Sequence, residues 1–155
     1  MTGSSTRRIA DTRRVRDRET GVVVVVWRRS PHVEVLVLHR SLFGESFDGE
    51  WAWTTPGGRL DVGEGPQDAA ERELLEETGL SLTCTRVESP TAAAQRDFDL
   101  SVYAAEATDD ANIQLSDEHD RYEWVRPEEL TRCLPAWVPA MYAEVLSSLG
   151  LKQSD

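Results

Sequence analysis

The sequence predicts a single α/β domain in which a mixed β-sheet is flanked by helices. Apolar segments with the pattern of strands alternate with segments that have the pattern of helices. A short turn separates the first two strand-like segments, which predicts antiparallel neighbours in a sheet that later segments extend. The length of 155 residues also suits one domain.

The first half of the chain predicts three strands. Residues 22–27 are an uninterrupted apolar run, typical of a buried strand, and residues 33–39 follow as a hairpin partner after a turn that contains Pro31. A short aromatic strand is predicted over residues 51–54. The Pro56-Gly57-Gly58 sequence that follows predicts the end of regular structure.

A helix is predicted from Pro66 to Thr78. Proline suits the first helical position, where its missing N–H costs no hydrogen bond, and Gly79 can adopt the left-handed conformation that ends a helix. The remaining predicted elements are strands over 82–87, 98–105 and 122–125, a helical turn over 127–130 and a closing amphipathic helix over 137–149.

The composition excludes several classes of partner and location. The chain has 28 acidic and 17 basic residues and a net charge of −11, so it should not bind the phosphate backbone of DNA or RNA duplexes. No apolar run approaches the ~20 residues that cross a membrane, and no signal-peptide core is present, which favours a cytoplasmic protein. Cys84 and Cys133 are too few for a disulfide scaffold and are predicted to be packing residues.

Residues 1–20 differ from the rest of the chain. They contain six arginines and three acidic residues and lack apolar periodicity, which predicts a flexible basic tail. The alternative is an arm that contacts phosphate, and the positive charge of the segment is the only evidence for it. The domain itself is then expected over residues 21–150, with residues 151–155 as a C-terminal tail.

Three carboxylates share one face of the predicted helix. Glu73, Glu76 and Glu77 are spaced i, i+3 and i+4, which places them in one 100° sector. Like charges at this spacing repel by a few tenths of a kcal/mol per pair, roughly, so a bound cation would stabilise them. Carboxylate oxygens without His or Cys suit Mg²⁺ or Mn²⁺. A solvated acidic face is the alternative, and periodicity alone favours it.

The residues around these glutamates follow a longer pattern, Gly58-x5-Glu64-x7-Arg72-Glu73-Leu74-x-Glu76-Glu77-x-Gly79-Leu80. This pattern resembles the complete Nudix box of the Nudix hydrolases, with every specified position filled. The similarity extends to residues 53–58 and 118–130, and so covers residues 21–150 as a whole. The resemblance implies an α/β/α sandwich with a mixed sheet, and cleavage of a diphosphate that links a nucleoside to another group.

The resemblance also implies the roles of individual residues. The implied metal ligands are the Gly58 carbonyl and the carboxylates of Glu64, Glu73, Glu76, Glu77 and Glu118. Arg72 would pair with the carboxylates of the box and hold them in place, which completes the expected catalytic set. Glu73 and Glu118 are alternative candidates for the general base.

Three further residues are predicted to contact substrate. Arg40 ends a strand at a position suited to a phosphate contact, Arg59 follows the first glycine of the box, and Trp51 could stack on a nucleobase. An ordinary surface role for Arg40 and a packing role for Trp51 are equally compatible with the sequence. For His119, beside Glu118, a structural role is expected.

The expected activity is Mg²⁺-dependent cleavage of a small nucleotide by a monomer or homodimer. Nucleoside triphosphates are the leading substrate, because a short domain has little room for a second binding half. Dinucleoside polyphosphates, ADP-ribose and nucleotide sugars are the alternatives. A non-catalytic module that binds or senses nucleotides should have lost glutamates of the box, and an isomerase resembling isopentenyl-diphosphate isomerase should contain a cysteine motif that is not found here.

Overall fold

The computed structural model describes residues 19–29, 31–42, 44–130 and 134–151. The elements are, in chain order, β1 (Glu19–Arg29), β2 (Val33–Arg40), β3 (Trp53–Thr54), β4 (Gly57–Arg59), α1 (Pro66–Thr78), β5 (Thr85–Arg86), α2 (Pro90–Ala93), β6 (Phe98–Glu106), β7 (His119–Val125), a 3-10 helix (Pro127–Glu129) and α3 (Trp137–Ser148). None of the helices in these ranges has the length and apolar character needed to cross a membrane.

The seven strands form one mixed sheet. Its central order is β3-β2-β1-β6-β5, with β4 paired to β1 and β7 paired to β2. β1 and β6 are parallel, whereas the other pairs are antiparallel. The predicted hairpin of the first two strands and the predicted mixed sheet are therefore both confirmed.

β1 and β2 separate after a short stretch of pairing, and this gap positions the site. The two strands pair only where residues 27–29 meet residues 33–35. Farther along, residues 21–23 of β1 pair with β4 instead. The segment that contains Ala52 and Pro56 is hydrogen-bonded to both strands. The Val24 N–H of β1 donates to the Pro56 carbonyl, and the Arg40 N–H of β2 donates to the Ala52 carbonyl, each at 2.8 Å. Gly57 and Gly58 are thereby placed between the two strands.

Side chains alternate between the two faces of the sheet and form two cores. On one face, alternate valines of β1 pack in a cluster with α1: Val22, Val24, Val26, Ala70 and Leu74. On the other face, the intervening residues pack in a cluster with α3: Val25, Val35, Val37, Met141, Tyr142 and Val145. The result is the helix–sheet–helix sandwich that the sequence predicts.

The ends of the domain differ from the prediction. β1 begins at Glu19, inside the segment predicted as a tail, because residues 19–27 pair with β6. At the other end, Leu151 belongs to the core rather than to a tail: it is buried, and its N–H donates to the Leu146 carbonyl at 2.8 Å. Residues 1–18 and 152–155 lie outside the described residues, as does Cys133, whereas Cys84 is buried as predicted.

Three short elements were wrongly predicted from local sequence. The strand predicted over residues 51–54 contains only Trp53–Thr54, because Trp51 has a φ of 76°, outside the strand region. Gly57–Arg59, predicted to be irregular, is β4, and the strand predicted over 82–87 is reduced to Thr85–Arg86. Each of these outcomes depends on pairing with a distant strand.

Candidate active site

α1 directs its glutamates to different environments. The helix packs on the sheet through Ala69, Ala70 and Leu74, and Gly79, with a φ of 76°, ends it. Glu77 lies at the edge of this packed face and is only 4% exposed. The side chain of Glu73 is 13% exposed, whereas that of Glu76 is 54% exposed. Of the three predicted carboxylates, Glu73 and Glu77 thus form a buried inner pair, and Glu76 is an outer, exposed carboxylate.

β4 holds the inner pair. The Gly57 N–H donates a hydrogen bond to Glu77 Oε1 at 2.9 Å. A Cβ atom on residue 58 would lie 2.6 Å from the carboxyl carbon of Glu73, so only glycine lets this carboxylate approach the strand. The same approach places both carboxylates against the backbone that fills the gap between β1 and β2.

Burial disfavours the charged form of both carboxyl groups of the inner pair, Glu73 and Glu77. Burial raises the pKa of Glu77 to about 8, against the lowering effect of the Gly57 hydrogen bond, and the negative charges of Glu73 and Glu118 raise it further. Burial also raises the pKa of Glu73, although Arg72 opposes the shift. The two carboxyl groups hydrogen-bond to each other. The positive charge near Glu73 and Glu77 therefore does not offset the effect of burial on their pKa values.

Arg72 binds three carboxylates, those of Glu64, Glu73 and Glu76. It binds Glu64 through two hydrogen bonds, from Nε at 2.7 Å and from Nη2 at 2.9 Å, and its Nη1 reaches Glu73 at 2.9 Å and Glu76 at 3.2 Å. Hydrogen bonds from Arg72 and from the Asp61 N–H lower the pKa of Glu64 to about 2. This is the arrangement that the sequence predicts for Arg72.

The inner pair fits a divalent cation in its chemistry. Its donors are carboxylate oxygens, which such cations prefer, and a bound cation would favour their charged form. Among the described residues, no three His, Cys, Asp or Glu side chains converge closely enough to form a complete metal site. Arg72 pairs with Glu64 at 2.7 Å and with Glu76 at 3.2 Å.

A cavity of about 470 Å³ brings most of the predicted residues together. The predicted residues in its wall are Gly58, Glu73, Glu76, Glu77, Glu118, Arg40, Trp51 and Arg59. Glu64 and Arg72 do not line it. Trp51 is 43% exposed, and its positive φ, uncommon for a non-glycine residue, is a strained conformation of the kind that clusters at binding sites.

Arg40 places a positive charge in the same cavity wall as the carboxylates. Burial lowers its pKa, whereas the nearby Glu77 and Glu118 raise it, and a guanidinium stays charged in either case. Its Nη2 donates to Thr54 Oγ1 at 3.2 Å, while no group in the described part of the chain accepts a hydrogen bond from its buried Nε. The Arg40 side chain is therefore anchored by Thr54, but not all of its hydrogen-bond donors have a partner among the described residues.

The structure adds residues that sequence reasoning missed. His119 is buried in the cavity wall, and its Nδ1 has no hydrogen-bond partner among the residues that the structure describes. Burial lowers the pKa of His119 to about 4, and Arg40 acts in the same direction. An apolar part of the wall comes from β6 and α3, through Phe98, Leu100 and Trp137. Only the position beside Glu118 could have indicated His119, and no local signal marks the apolar wall.

Comparison with known proteins now gives the family. The NUDIX domain family model matches residues 17–148. The chain belongs to the Nudix family. The prediction of a Nudix-type hydrolase is thus confirmed at the level of the family and of its fold.

Three relatives illustrate the similarity. The bis(5'-nucleosyl)-tetraphosphatase [asymmetrical] of Mus musculus is 34% identical over 104 residues, which are 63% of this chain and 67% of that protein. An octanoyltransferase of Myxococcus xanthus is 34% identical over 109 residues, or 66% of this chain, but the match spans only 29% of that protein. A C. elegans Ap4A hydrolase, solved as a binary complex, has a TM-score of 0.67 and 23% identity over 85% of this chain and 98% of that chain.

Proposed function

We propose that this Nudix chain hydrolyses a dinucleoside polyphosphate with the help of Mg²⁺ or Mn²⁺. The observation that carries the proposal is that the inner carboxylate pair, Glu73 and Glu77, lines the same cavity as Arg40, on which the charge of Glu77 acts. The mouse relative is named a bis(5'-nucleosyl)-tetraphosphatase, and its similarity supports this substrate class. The expectation of nucleoside triphosphates is replaced for that reason, and they become the second candidate.

The metal would be held by the inner pair. Glu73, Glu77 and the Gly58 carbonyl form the core of the proposed ligand set, with Glu76 and Glu118 at its rim. When bound, the cation would neutralise phosphate oxygens and lower the pKa of a water ligand. The contacts of Arg72 keep Glu64, Glu73 and Glu76 in position for this role.

Glu118 is the better placed general base. Arg72 contacts Glu73, and a hydrogen bond links Glu73 to Glu77, so its carboxylate is already engaged. Glu118 is exposed at the cavity, and no ion pair holds its carboxylate within the described ranges. A carboxylate without such partners can accept a proton from water at the site.

The cavity walls match the two chemical halves of a nucleotide. Arg40 and Arg59 would bind phosphate oxygens, since guanidinium groups form paired hydrogen bonds to phosphate. Trp51 on one side, and Phe98 with Trp137 in the apolar wall, offer aromatic surface to a base. A cavity of about 470 Å³ lies within the ordinary range for small-molecule sites. Location in the cytoplasm, and a monomeric or homodimeric state, stay predictions.

A substrate panel tests the proposal. Diadenosine tetraphosphate, nucleoside triphosphates, ADP-ribose and a nucleotide sugar would each be incubated with the full chain and Mg²⁺, and the products identified by mass. We expect diadenosine tetraphosphate to give ATP and AMP at the highest kcat/KM. Faster cleavage of nucleoside triphosphates would favour the second candidate, and the absence of any turnover would point to a binding module.

A matched pair of variants makes the panel specific to the proposed site. Glu76→Gln and Asp68→Asn each remove one negative charge from an exposed position of α1, but only Glu76 lines the cavity. We expect turnover to be lost in Glu76→Gln and retained in Asp68→Asn. Equal turnover in both variants would contradict the assignment of Glu76.

A further inference from the structure

Trp51 occupies a strained turn at the edge of the cavity. The Ala52 N–H donates to the Gly49 carbonyl at 3.0 Å, which closes a four-residue turn with Trp51 at its third position. In the described ranges Trp51 is the only residue other than glycine with a positive φ, and turns that need a positive φ at this position favour Gly or Asn. Such a conformation persists only where the surrounding structure holds it. The turn therefore needs support from outside itself.

The side chain of Phe47 supports the first residue of this turn. A Cβ atom on residue 49 would lie 2.6 Å from Cζ and 3.0 Å from Cε1 of the Phe47 ring, so the ring packs directly against the Gly49 backbone. Gly49 does not have a positive φ, which means that glycine provides room here rather than conformational freedom. Phe47 also packs against the core on the α3 face of the sheet. The turn thus lies on a side chain that the core holds in place.

His39 fixes the backbone of Phe47. The His39 side chain is fully buried, and its Nε2 lies 2.7 Å from the Phe47 carbonyl oxygen. A carbonyl oxygen can only accept, so Nε2 donates this hydrogen bond. On the other side of the ring, Nδ1 lies 2.7 Å from Oδ1 of Asp120 in β7, and the ring meets Trp53 edge to face with centroids 5.0 Å apart. These contacts fix the ring in the orientation that binds Phe47.

Arg121 also binds this segment, but from the solvent side. Its Nη1 donates to the Glu45 carbonyl at 2.5 Å, and its Nη2 donates to Asp48 Oδ1 at 3.4 Å. The Arg121 side chain is 40% exposed, whereas that of His39 is fully buried. Water can replace a partner at an exposed position, but the nitrogens of a buried ring depend on protein groups. The hydrogen bond from His39 is therefore the tighter constraint on the segment.

We propose that His39 is a positioning residue for Trp51. Its hydrogen bond to Phe47 fixes the ring that supports Gly49, and so holds the turn that presents the Trp51 indole to the base of a bound nucleotide. The proposal rests on the proposed function, in that the cavity must take a nucleotide. His39 does not line the cavity, whereas Trp51 does, so His39 acts through Trp51 and touches no substrate. Its loss should weaken the binding of a base and leave the binding of phosphate intact.

Two ligands that cannot be hydrolysed separate these contributions. They are α,β-methylene-ADP and methylenediphosphonate, which is the diphosphonate part of the first without its nucleoside. Calorimetry with the full chain and Mg²⁺ gives the affinity for each. In His39→Asn we expect the affinity for α,β-methylene-ADP to fall about tenfold, the scale of one base–aromatic stack, and that for methylenediphosphonate to stay parental. An equal loss for both ligands, or parental affinity for both, would overturn the proposal.

His39→Gln is the conservative variant that should restore binding. The amide nitrogen of glutamine reaches the position of Nε2 and can donate to the Phe47 carbonyl, whereas the amide of asparagine reaches only the position of Nδ1. We therefore expect His39→Gln to bind α,β-methylene-ADP with nearly the affinity of the parent chain. A loss in His39→Gln as large as that in His39→Asn would show that the hydrogen bond to Phe47 is not the cause.

A double variant tests whether His39 acts through Trp51. Trp51→Ala alone should weaken α,β-methylene-ADP about tenfold, because it removes the aromatic surface. Adding His39→Asn should weaken it no further, since the residue through which His39 acts is gone. Losses that add in the double variant, or no loss in Trp51→Ala, would overturn the proposal.

His32→Asn is the matched control, since His32 lies in the turn between β1 and β2 and does not line the cavity. We expect it to bind both ligands as the parent chain does. If the His39 variants fail to fold, Gly49→Ala tests the same connection, because its Cβ displaces the Phe47 ring from the turn. It should show the same selective loss of α,β-methylene-ADP, and parental affinity or an equal loss for both ligands would overturn the proposal.

The comparison does not depend on which nucleotide is cleaved. Both ligands are bound without turnover, and α,β-methylene-ADP contains the nucleoside and phosphate groups common to all substrates in the panel. Failure to cleave diadenosine tetraphosphate would therefore contradict the proposed function alone. Loss of the selective effect in the His39 variants would contradict the role of His39 alone.

Discussion

Glu77 is the residue at which burial and charge conflict most strongly. Its side chain is buried between α1 and the sheet, where it accepts one hydrogen bond from the Gly57 N–H. It forms no ion pair with a described residue. Without metal, its protonated form is therefore favoured in the folded chain, which raises its pKa to about 8. The unfolded value is near ~4.3. The raised pKa of Glu77 makes folding depend on pH.

We expect the metal-free chain to lose stability as pH rises. A carboxyl group whose pKa is raised by folding stabilises the folded state fully below its unfolded pKa, and this contribution disappears as pH rises through about 8. Melting temperatures in chelator should therefore fall from roughly pH 5 to pH 9, and less so in Glu77→Gln. Asp68→Asn is the control, and an equal pH dependence in Glu77→Gln would contradict the assignment.

Glu64 should act in the opposite direction and in a separate pH range. Its pKa is lowered to about 2 by Arg72 and by the Asp61 N–H, so its contribution is present above the unfolded value and is lost as pH falls toward 2. Acid melts of the parent and Glu64→Gln should converge only as pH falls to about 2. Curves that differ equally at every pH would show that the Arg72 pair is not the cause.

The proposed base gives a third prediction at the scale of single residues. Glu118→Gln keeps the size of the side chain but removes the proton acceptor, so kcat should fall about 10²- to 10⁴-fold. Pyrophosphate binding should change far less, because Arg40 and the inner pair are intact. A parental kcat in Glu118→Gln, together with a large loss in Glu73→Gln, would transfer the role of base to Glu73.

At the scale of elements, β4 makes two adjacent glycines necessary for different reasons. A Cβ atom at position 57 would overlap the Val22 carbonyl oxygen, which belongs to the backbone of β1 and cannot move freely. A Cβ atom at position 58 would meet the carboxylate of Glu73, a side chain that can turn away. The first substitution should disturb folding and the second should disturb the site.

We expect Gly57→Ala to destabilise the chain by about 3 kcal/mol or more, and Gly58→Ala by distinctly less. Gly58→Ala should still lose most of its turnover, because the displaced Glu73 leaves the inner pair. Melting temperature and turnover, measured on both variants and on Gly65→Ala as the control, separate the two effects. Similar stability in the two variants would contradict this account of β4. Nothing lies within 4 Å of a Cβ at position 65, so that control should keep both properties.

The elements that the sequence predicts well are those with local signals. Pro66 and Gly79 mark the ends of α1 at the predicted residues, and alternating burial along β1 follows from its long valine run. β4 and the positive φ of Trp51 have no such signals, because pairing with β1 and the turn before β3 decide them. Elements of two or three residues are therefore least accessible to sequence reasoning.

The candidate site divides in the same way. The Nudix box predicts which carboxylates and which guanidinium belong to the candidate site. It did not show that Glu77 is buried and Glu76 exposed, which follows from how α1 packs. The apolar wall, with Phe98 and Trp137, was not predictable because β6 and α3 are distant in sequence from the box.

At the scale of the whole molecule, the N-terminal segment should be dispensable. The family match begins at residue 17 and β1 begins at Glu19, so a chain that starts at residue 19 keeps every described element. We expect its melting temperature and turnover to stay close to those of the full chain. A large rise in KM would instead mean that the arginines of residues 1–18 contact substrate.

The charge of the whole chain makes a bound cation necessary for an anionic substrate. With a net charge of −11, and with carboxylates in the cavity wall, the protein repels a polyphosphate unless positive charge intervenes. Excess chelator should therefore abolish turnover. Unchanged turnover in chelator would exclude the metal-dependent mechanism.

The central claim, that the glutamates of α1 bind a divalent cation, is tested most directly by thermal melts with and without Mg²⁺. Without metal, Glu76→Gln should melt near the parent, because relief of charge repulsion is offset by the loss of an exposed Arg72 pair worth little. With Mg²⁺, the melting temperature should rise in the parent and in Asp68→Asn but hardly in Glu76→Gln. No Mg²⁺-dependent rise in the parent, or the same rise in Glu76→Gln, would contradict the claim.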